Sequence, residues 1–245
     1  MKSFAGKRIW IIGASAGIGH ALARTLSNEG AKLVLSARNL ADLDELAGVC
    51  PGAEVLPVDL AAPESLEQAI TQLSAAGKLD AVICTAALYD PARIADLDRA
   101  RTQKLVQVNL LGMFEVARLC PPLLRDGGQL VLFGSVAGYF GLPGGQAYSA
   151  TKAAVNNLAE SLRLELAPRL DVRLVCPGFV RTRLTAKNTF KMPALIEPED
   201  AARQVMRGLR GRAFEIHFPK RFTLAVKLLR LLPYSLSLRW ASRLN

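Results

Sequence analysis

Histidine is nearly missing from this 245-residue chain, and its four cysteines are scattered. His20 and His217 lie near opposite ends, and Cys50, Cys84, Cys120 and Cys176 form no C-x-x-C pair. Residues so spaced build no zinc set, and no metal is expected. Widely separated cysteines also speak for buried, reduced thiols in a cytoplasmic protein rather than for a disulfide framework. Long apolar runs are absent as well. No window of about 20 apolar residues free of charge exists, which argues against a membrane-spanning helix. The opening residues, MKSFAGKRIWIIG, run straight into a strand and lack the layout of a signal peptide. No long Ser-, Pro- or Gly-rich stretch divides the chain, so it reads as one domain.

Acid is scarcest toward the C-terminal end. The chain carries 31 Lys and Arg against 21 Asp and Glu, a formal charge of +10. Residues 201–245 hold ten of the basic residues and one acid, Glu215, so this segment carries +9 and the first 200 residues +1. A basic surplus ordinarily raises the question of nucleic acid. Here it belongs to an apolar tail, which points instead to anionic lipid or an acidic partner, and no nucleic acid is expected. The core is set at residues 1–219 and a basic amphipathic helical tail at 220–245.

Alternation is what the chain has in abundance. Apolar runs at 8–12 (RIWII), 32–36 (KLVLS), 54–58 (EVLPV), 80–84 (DAVIC), 129–133 (QLVLF) and 172–176 (VRLVC) each give way to small or turn-forming residues, then to a stretch of helical period. Strands apolar almost throughout suit a parallel sheet covered on both faces. Repeated βα units of this length imply an α/β fold with a doubly wound parallel sheet, Rossmann-like, of about seven strands. Ligands of such sheets bind beyond the carboxyl ends of the strands.

After the first run, Gly13-Ala14-Ser15-Ala16-Gly17-Ile18-Gly19 leads into a helix expected over about 18–28. Glycines let the backbone turn tightly and approach a pyrophosphate, whose charge a helix N-terminus favours. Glycine also ends strands for purely structural reasons; the strand before and helix after favour the nucleotide. The second run ends at Ser36-Ala37-Arg38-Asn39, with no carboxylate before Asp42. An acid there would bond the ribose 2′-OH of NAD, whereas Arg38 offers paired donors to the 2′-phosphate of NADP or is simply a solvated residue opening the next helix. Asp59 either accepts from the adenine amino group or caps the helix beginning near Pro63.

The fifth run ends at Phe133-Gly134-Ser135, and thirteen residues later Tyr148-Ser149-Ala150-Thr151-Lys152 opens a helix expected to reach about Pro168. Residues at i and i+4 share a helix face, so the Lys152 ammonium can sit near the Tyr148 phenol. A phenol titrates near pH 10 and is a poor base at neutral pH. A neighbouring cation, together with an oxidised nicotinamide ring, would favour phenolate. Ser135 could then hold a substrate oxygen while Tyr148 passes the proton. Y-x-x-x-K alone is a frequent accident on amphipathic helices. The order of glycine loop, strand-end serine, tyrosine and lysine is what carries the argument.

With these motifs in place, the chain resembles a compact, single-domain short-chain dehydrogenase/reductase over about residues 6–216. The resemblance implies an NADP(H)-dependent oxidoreductase that interconverts a carbonyl and an alcohol. It implies a catalytic set of Ser135, Tyr148, Lys152 and Asn109, the last holding a water between the lysine and solvent. It further places Gly13, Ser15, Ala16, Gly17, Ile18, Gly19, Arg38, Asp59, Ala86 and Lys152 around the cofactor. Pro177, Gly178, Val180 and Thr182 resemble the family segment that meets the nicotinamide carboxamide. One stretch departs: Asn-Asn-Ala-Gly is usual after the fourth strand, and here it reads Cys84-Thr85-Ala86-Ala87. A homodimer or homotetramer is implied, paired through the helix holding Tyr148 and the one before the fifth strand.

The segment 184–197 is expected to be a mobile substrate flap. Its Leu184, Phe190, Met192, Leu195 and Ile196, with Phe140, Leu142, Leu88 and Tyr89, would line an apolar entrance suited to a lipophilic ketone or aldehyde. Ordinary loop packing is the competing reading, and Lys187 and Lys191 could meet an anionic head group. The tail should form two short amphipathic helices broken at Pro233. It either lies on an anionic membrane, at the inner face, or packs over a neighbouring subunit or the substrate pocket. A catalytically idle NADP-binding sensor or membrane scaffold is the alternative function, against which the intact Ser135, Tyr148, Lys152 and Asn109 weigh.

Overall fold

Ile9, Trp10, Ile11 and Ile12 alternate between two faces of one strand, yet all four are buried. A strand buried on both faces needs helices on each side. The computed structural model, which describes residues 1–141 and 143–241 with Trp240 by its backbone alone, supplies them. Leu142 of the expected apolar entrance, and residues 242–245 with the expected end of the second tail helix, lie outside the described residues. Among the described residues the strands are β1 (Arg8–Ile12), β2 (Lys32–Ser36), β3 (Glu54–Val55), β4 (Leu79–Cys84), β5 (Leu124–Phe133), β6 (Asp171–Pro177) and β7 (Glu215–Phe218). They pair in parallel in the order β3-β2-β1-β4-β5-β6-β7. The fold is the expected Rossmann-like doubly wound sheet.

Side chains that alternate along the strands feed two cores. On one face Ile9, Ile11 and Leu35 pack with Leu22 and Leu26 of α1 (Gly17–Asn28), Leu43 of α2 (Leu40–Gly48) and Val205 and Leu209 of α7 (Pro198–Arg210). On the other, Trp10, Val82 and Leu132 pack with Leu66 of α3 (Pro63–Ala75), Val116 of α5 (Gly112–Leu119) and Val155 of α6 (Gln146–Glu165). Between β1 and β4 the strand order reverses, which opens a crevice at their carboxyl ends.

Several boundaries differ from expectation for identifiable reasons. β3 stops at Val55 because Pro57 has no N–H to donate, although Leu56 N and Val58 N still bond Leu35 O and Ala37 O at 3.0 and 3.1 Å. β7, which no apolar run announced, has only four residues and alternates buried Ile216 and Phe218 with polar partners. Asn109 lies in a π-helical turn, Gln107–Leu111, between α4 (Arg99–Val106) and α5. Such turns often mark functional sites because the extra residue re-aims a side chain. The tail forms α8 (Lys220–Leu231) and α9 (Tyr234–Ala241), interrupted at Pro233 as expected. No helix among the described residues is long and apolar enough to cross a membrane.

Candidate active site

A cavity of about 730 Å³ runs along the carboxyl ends of β1, β4, β5 and β6, within the range of small-molecule sites. All the expected cofactor and catalytic residues line it except Asn109, which is fully buried behind it. One end is built by the 13–19 loop. A Cβ on Gly19 would sit 2.2 Å from the Gly13 carbonyl oxygen, and one on Gly17, at φ +57°, 2.9 Å from Thr182 Cγ2. These glycines are therefore demanded by the protein's own packing, which draws the loop against the segment after β6. Helix α1 begins at Gly17, after Ala16, with no side-chain cap and no acid in its first turn. Its first N–H groups are left for an external anion, as a pyrophosphate would require.

Thr85 accounts for the altered 84–87 stretch. Its hydroxyl donates to Ile12 O at 3.1 Å and to Gly13 O at 2.9 Å, while its N–H bonds Ile12 O at 2.8 Å. One hydroxyl thus braces β4 to the glycine loop, the task that the family gives to amides. Arg38 is exposed on the cavity rim and makes no hydrogen bond or ion pair among the described residues. Asp42, the first carboxylate after β2, ion-pairs with Arg183 at 3.4 Å. Asp59 accepts from Ala61 N at 2.9 Å and faces the cavity, but α3 starts from Ala62 with no side-chain cap, so the expected capping of that helix by Asp59 is not found.

The catalytic candidates converge from three elements. Ser135 follows β5, its Oγ accepts from Ala137 N at 3.1 Å, and it lines the same cavity as Tyr148. Tyr148 sits in the first turn of α6. Lys152, only 1% exposed, places Nζ 5.7 Å from the Tyr148 ring centre and donates to Phe133 O at 2.7 Å. Burial lowers the ammonium to about 8, against smaller upward pulls from the Cys84 and Cys176 thiols. Burial pushes the Tyr148 phenol up to about 12, with the Ser135 hydroxyl pulling the other way. The expected drift toward phenolate is therefore not produced by the protein's own groups: desolvation outweighs the ammonium, which is turned to the Phe133 carbonyl. Tyr148 is held as a proton donor at neutral pH.

Asn109 does not reach Lys152 with its side chain. Its Oδ1 accepts from Leu88 N at 2.7 Å and its Nδ2 donates to Leu88 O at 2.8 Å, clamping the segment after β4. Next in that segment, Tyr89 meets the Tyr148 ring edge-on at 5.0 Å and donates to Asn188 Oδ1 at 2.7 Å. Lys187, which could meet an anionic head group, donates to Tyr89 O at 2.6 Å. Leu184, Phe190, Phe140, Leu88 and Tyr89 line the cavity, whereas Met192, Leu195 and Ile196 do not. Ile196 instead bridges Val180 and packs on the core. Sequence reasoning passed over Thr85, Thr185 (whose hydroxyl donates to Val180 O at 2.6 Å), and the cavity-lining Phe222 and Val226 of the tail. The amphipathic period of the tail is the one sequence signal for the last two.

Comparison with known proteins identifies the family. The family described as short chain dehydrogenase matches residues 7–192. An uncharacterized oxidoreductase of Myxococcus xanthus is 34% identical over 96% of this chain and 96% of its own length. The 11-beta-hydroxysteroid dehydrogenase A of Sesamum indicum is 31% identical over 74% of this chain and 54% of its own. A short chain dehydrogenase from Burkholderia cenocepacia, solved in complex with NADP, superposes with a TM-score of 0.81 at 25% identity, covering 94% of this chain and 100% of that one. The chain belongs to the short-chain dehydrogenase/reductase family and is an oxidoreductase of that family.

Proposed function

We propose that the protein interconverts a carbonyl and an alcohol on an apolar small molecule, with NADP(H) as cofactor. The observation that carries this reading is the single cavity joining Ser135, Tyr148 and Lys152 to the uncapped start of α1 and to Arg38. The N–H groups at 17–19 would hold the pyrophosphate, and the unpaired Arg38 guanidinium would take the 2′-phosphate. Pro177, Gly178, Val180 and Thr182 would hold the carboxamide side. When bound, the nicotinamide supplies or takes up the hydride.

The chain's own residues handle the proton. In the reductive direction the Tyr148 hydroxyl donates to the substrate carbonyl oxygen, which Ser135 Oγ holds in place. Lys152 supplies positive charge beside the phenolate that results, and an ammonium titrating near 8 suits proton exchange at neutral pH. Asn109 acts as a positioning residue by fixing Leu88 and Tyr89 against the reacting end. An idle nucleotide-binding sensor has no use for a desolvated ammonium beside a phenol.

An apolar substrate is supported by Phe140, Phe179, Phe190 and Leu184 along the cavity, and the Sesamum relative is named for a hydroxysteroid. Tail contact with an anionic membrane surface is supported by Leu224, Leu228, Leu231 and Leu236, exposed in a segment whose ionisable side chains from Lys220 onward are all basic apart from Tyr234. The protein would then be cytoplasmic and peripheral at the inner face. Exposed Leu111 and Phe114 at α5 and Leu164 on α6 support pairing of copies through those helices. Replacing Tyr148 by Phe should lower ketone reduction by at least about 100-fold while NADPH binding, followed by its fluorescence, is kept. Undiminished turnover would exclude Tyr148 as the acid.

A further inference from the structure

Phe222 and Val226 lie one turn apart on α8 and line the same cavity as Tyr148. Phe222 rests directly on the turn after β6, since a Cβ on Gly178 would meet its ring at 2.9 Å. Its ring centre is 5.6 Å from that of Phe179, which meets Phe190 edge-on at 5.7 Å. Three segments distant in sequence thus contribute to one aromatic wall. Val226 packs with Phe140, from the segment between Ser135 and Tyr148, and with Leu229.

The helix is fastened where it lies. Lys227 ion-pairs with Glu215 of β7, which also accepts from the Tyr139 hydroxyl. Lys227 Nζ stands 5.2 Å from the Tyr139 ring, and buried Thr223 lies 2.6 Å from His217 Nδ1. The match to the family ends at residue 192, so the shared motifs do not dictate this arrangement. Leu224 and Leu228, on the other face of α8, are exposed.

We infer that Phe222 and Val226 are specificity-determining residues, closing the substrate site with an apolar wall that selects carbonyl compounds by the length of their hydrocarbon part. This rests on the carbonyl–alcohol reading above and names what bounds its substrate. Hydrocarbon buried against such a wall gains about fourfold in affinity per methylene, until the wall stops it.

The test measures binding and turnover separately. Straight-chain methyl ketones of increasing length are titrated calorimetrically into protein saturated with NADP⁺, and kcat/KM for NADPH oxidation is measured on the same series. In the wild type, affinity should climb about fourfold per methylene to a cut-off length. Val226→Phe should shorten the cut-off, Phe222→Ala and the gentler Phe222→Leu should lengthen it, and outward-facing Leu228→Ser should leave it unchanged. NADPH affinity should stay within about twofold throughout, which reports an intact fold. An unmoved cut-off in the Phe222 and Val226 variants, or an equal shift from Leu228→Ser, overturns the inference even where ketones are reduced. A cut-off that moves as stated without NADPH oxidation upholds the wall and refutes the carbonyl–alcohol reading. Absence of any ketone binding overturns both.

Discussion

Replacing Lys152 by Met removes a buried ammonium and keeps most of its apolar stem, which makes it a direct probe of desolvation at the site. Lys152 titrates near 8 in the folded protein and near 10.5 when exposed, because burial disfavours its charge. Between those values the unfolded chain binds more protons than the folded one, so this group makes stability rise with pH. Below 8 both states are protonated and the contribution is flat. From about pH 7 to about pH 9.5 the linkage integral is about 2 kcal/mol, at about 1.36 kcal/mol per unit. The buried thiols work the other way: burial holds Cys84 up at about 11 and Cys176 at about 12, so they erode stability as pH rises past the usual thiol range. The wild-type curve alone is therefore ambiguous, and the difference from Lys152→Met cancels the thiols. Urea unfolding of both proteins at the two pH values should show the wild type gaining about 2 kcal/mol on the variant at the higher pH, or roughly 4–8 °C in Tm. Parallel curves would refute a desolvated Lys152, and with it the argument that this ammonium is tuned for proton exchange.

Two further outcomes follow from the rim and the tail. Arg38→Ala should weaken NADPH binding about 10- to 100-fold, the worth of a charge-assisted contact, and leave NADH binding unchanged in titrations followed by cofactor fluorescence. A wild type that prefers NADH would show the reading of Arg38 to be wrong. Changing Leu224, Leu228 and Leu231 together to Ser should abolish flotation with vesicles containing phosphatidylserine, because each buried leucine contributes about 1.5–3 kcal/mol. Wild type and variant floating equally would remove the membrane role.

The glycine loop, Arg38, Ser135 and the Tyr148–Lys152 spacing were legible in the chain because each is local: a strand end, a helix start, an i and i+4 pair. Fold class was legible for the same reason, since fully apolar runs demand cover on both faces. Short β7 escaped notice because four half-polar residues carry little periodic signal. Thr85 could be read only as a departure, because its hydroxyl acts on carbonyls more than seventy residues earlier.

Sequence by itself thus determined which groups stand at the strand ends and helix starts, and in what order they follow one another along the chain. Tertiary structure alone decided their state and their surroundings. Spacing brings an ammonium near a phenol; burial on every side sets the phenol at about 12 and the ammonium at about 8. Helical period marks the tail as amphipathic; only packing turns Phe222 and Val226 inward to the cavity and leaves Leu228 to solvent. Local pattern records what a side chain is, whereas desolvation and contact depend on residues that meet only when the chain is folded.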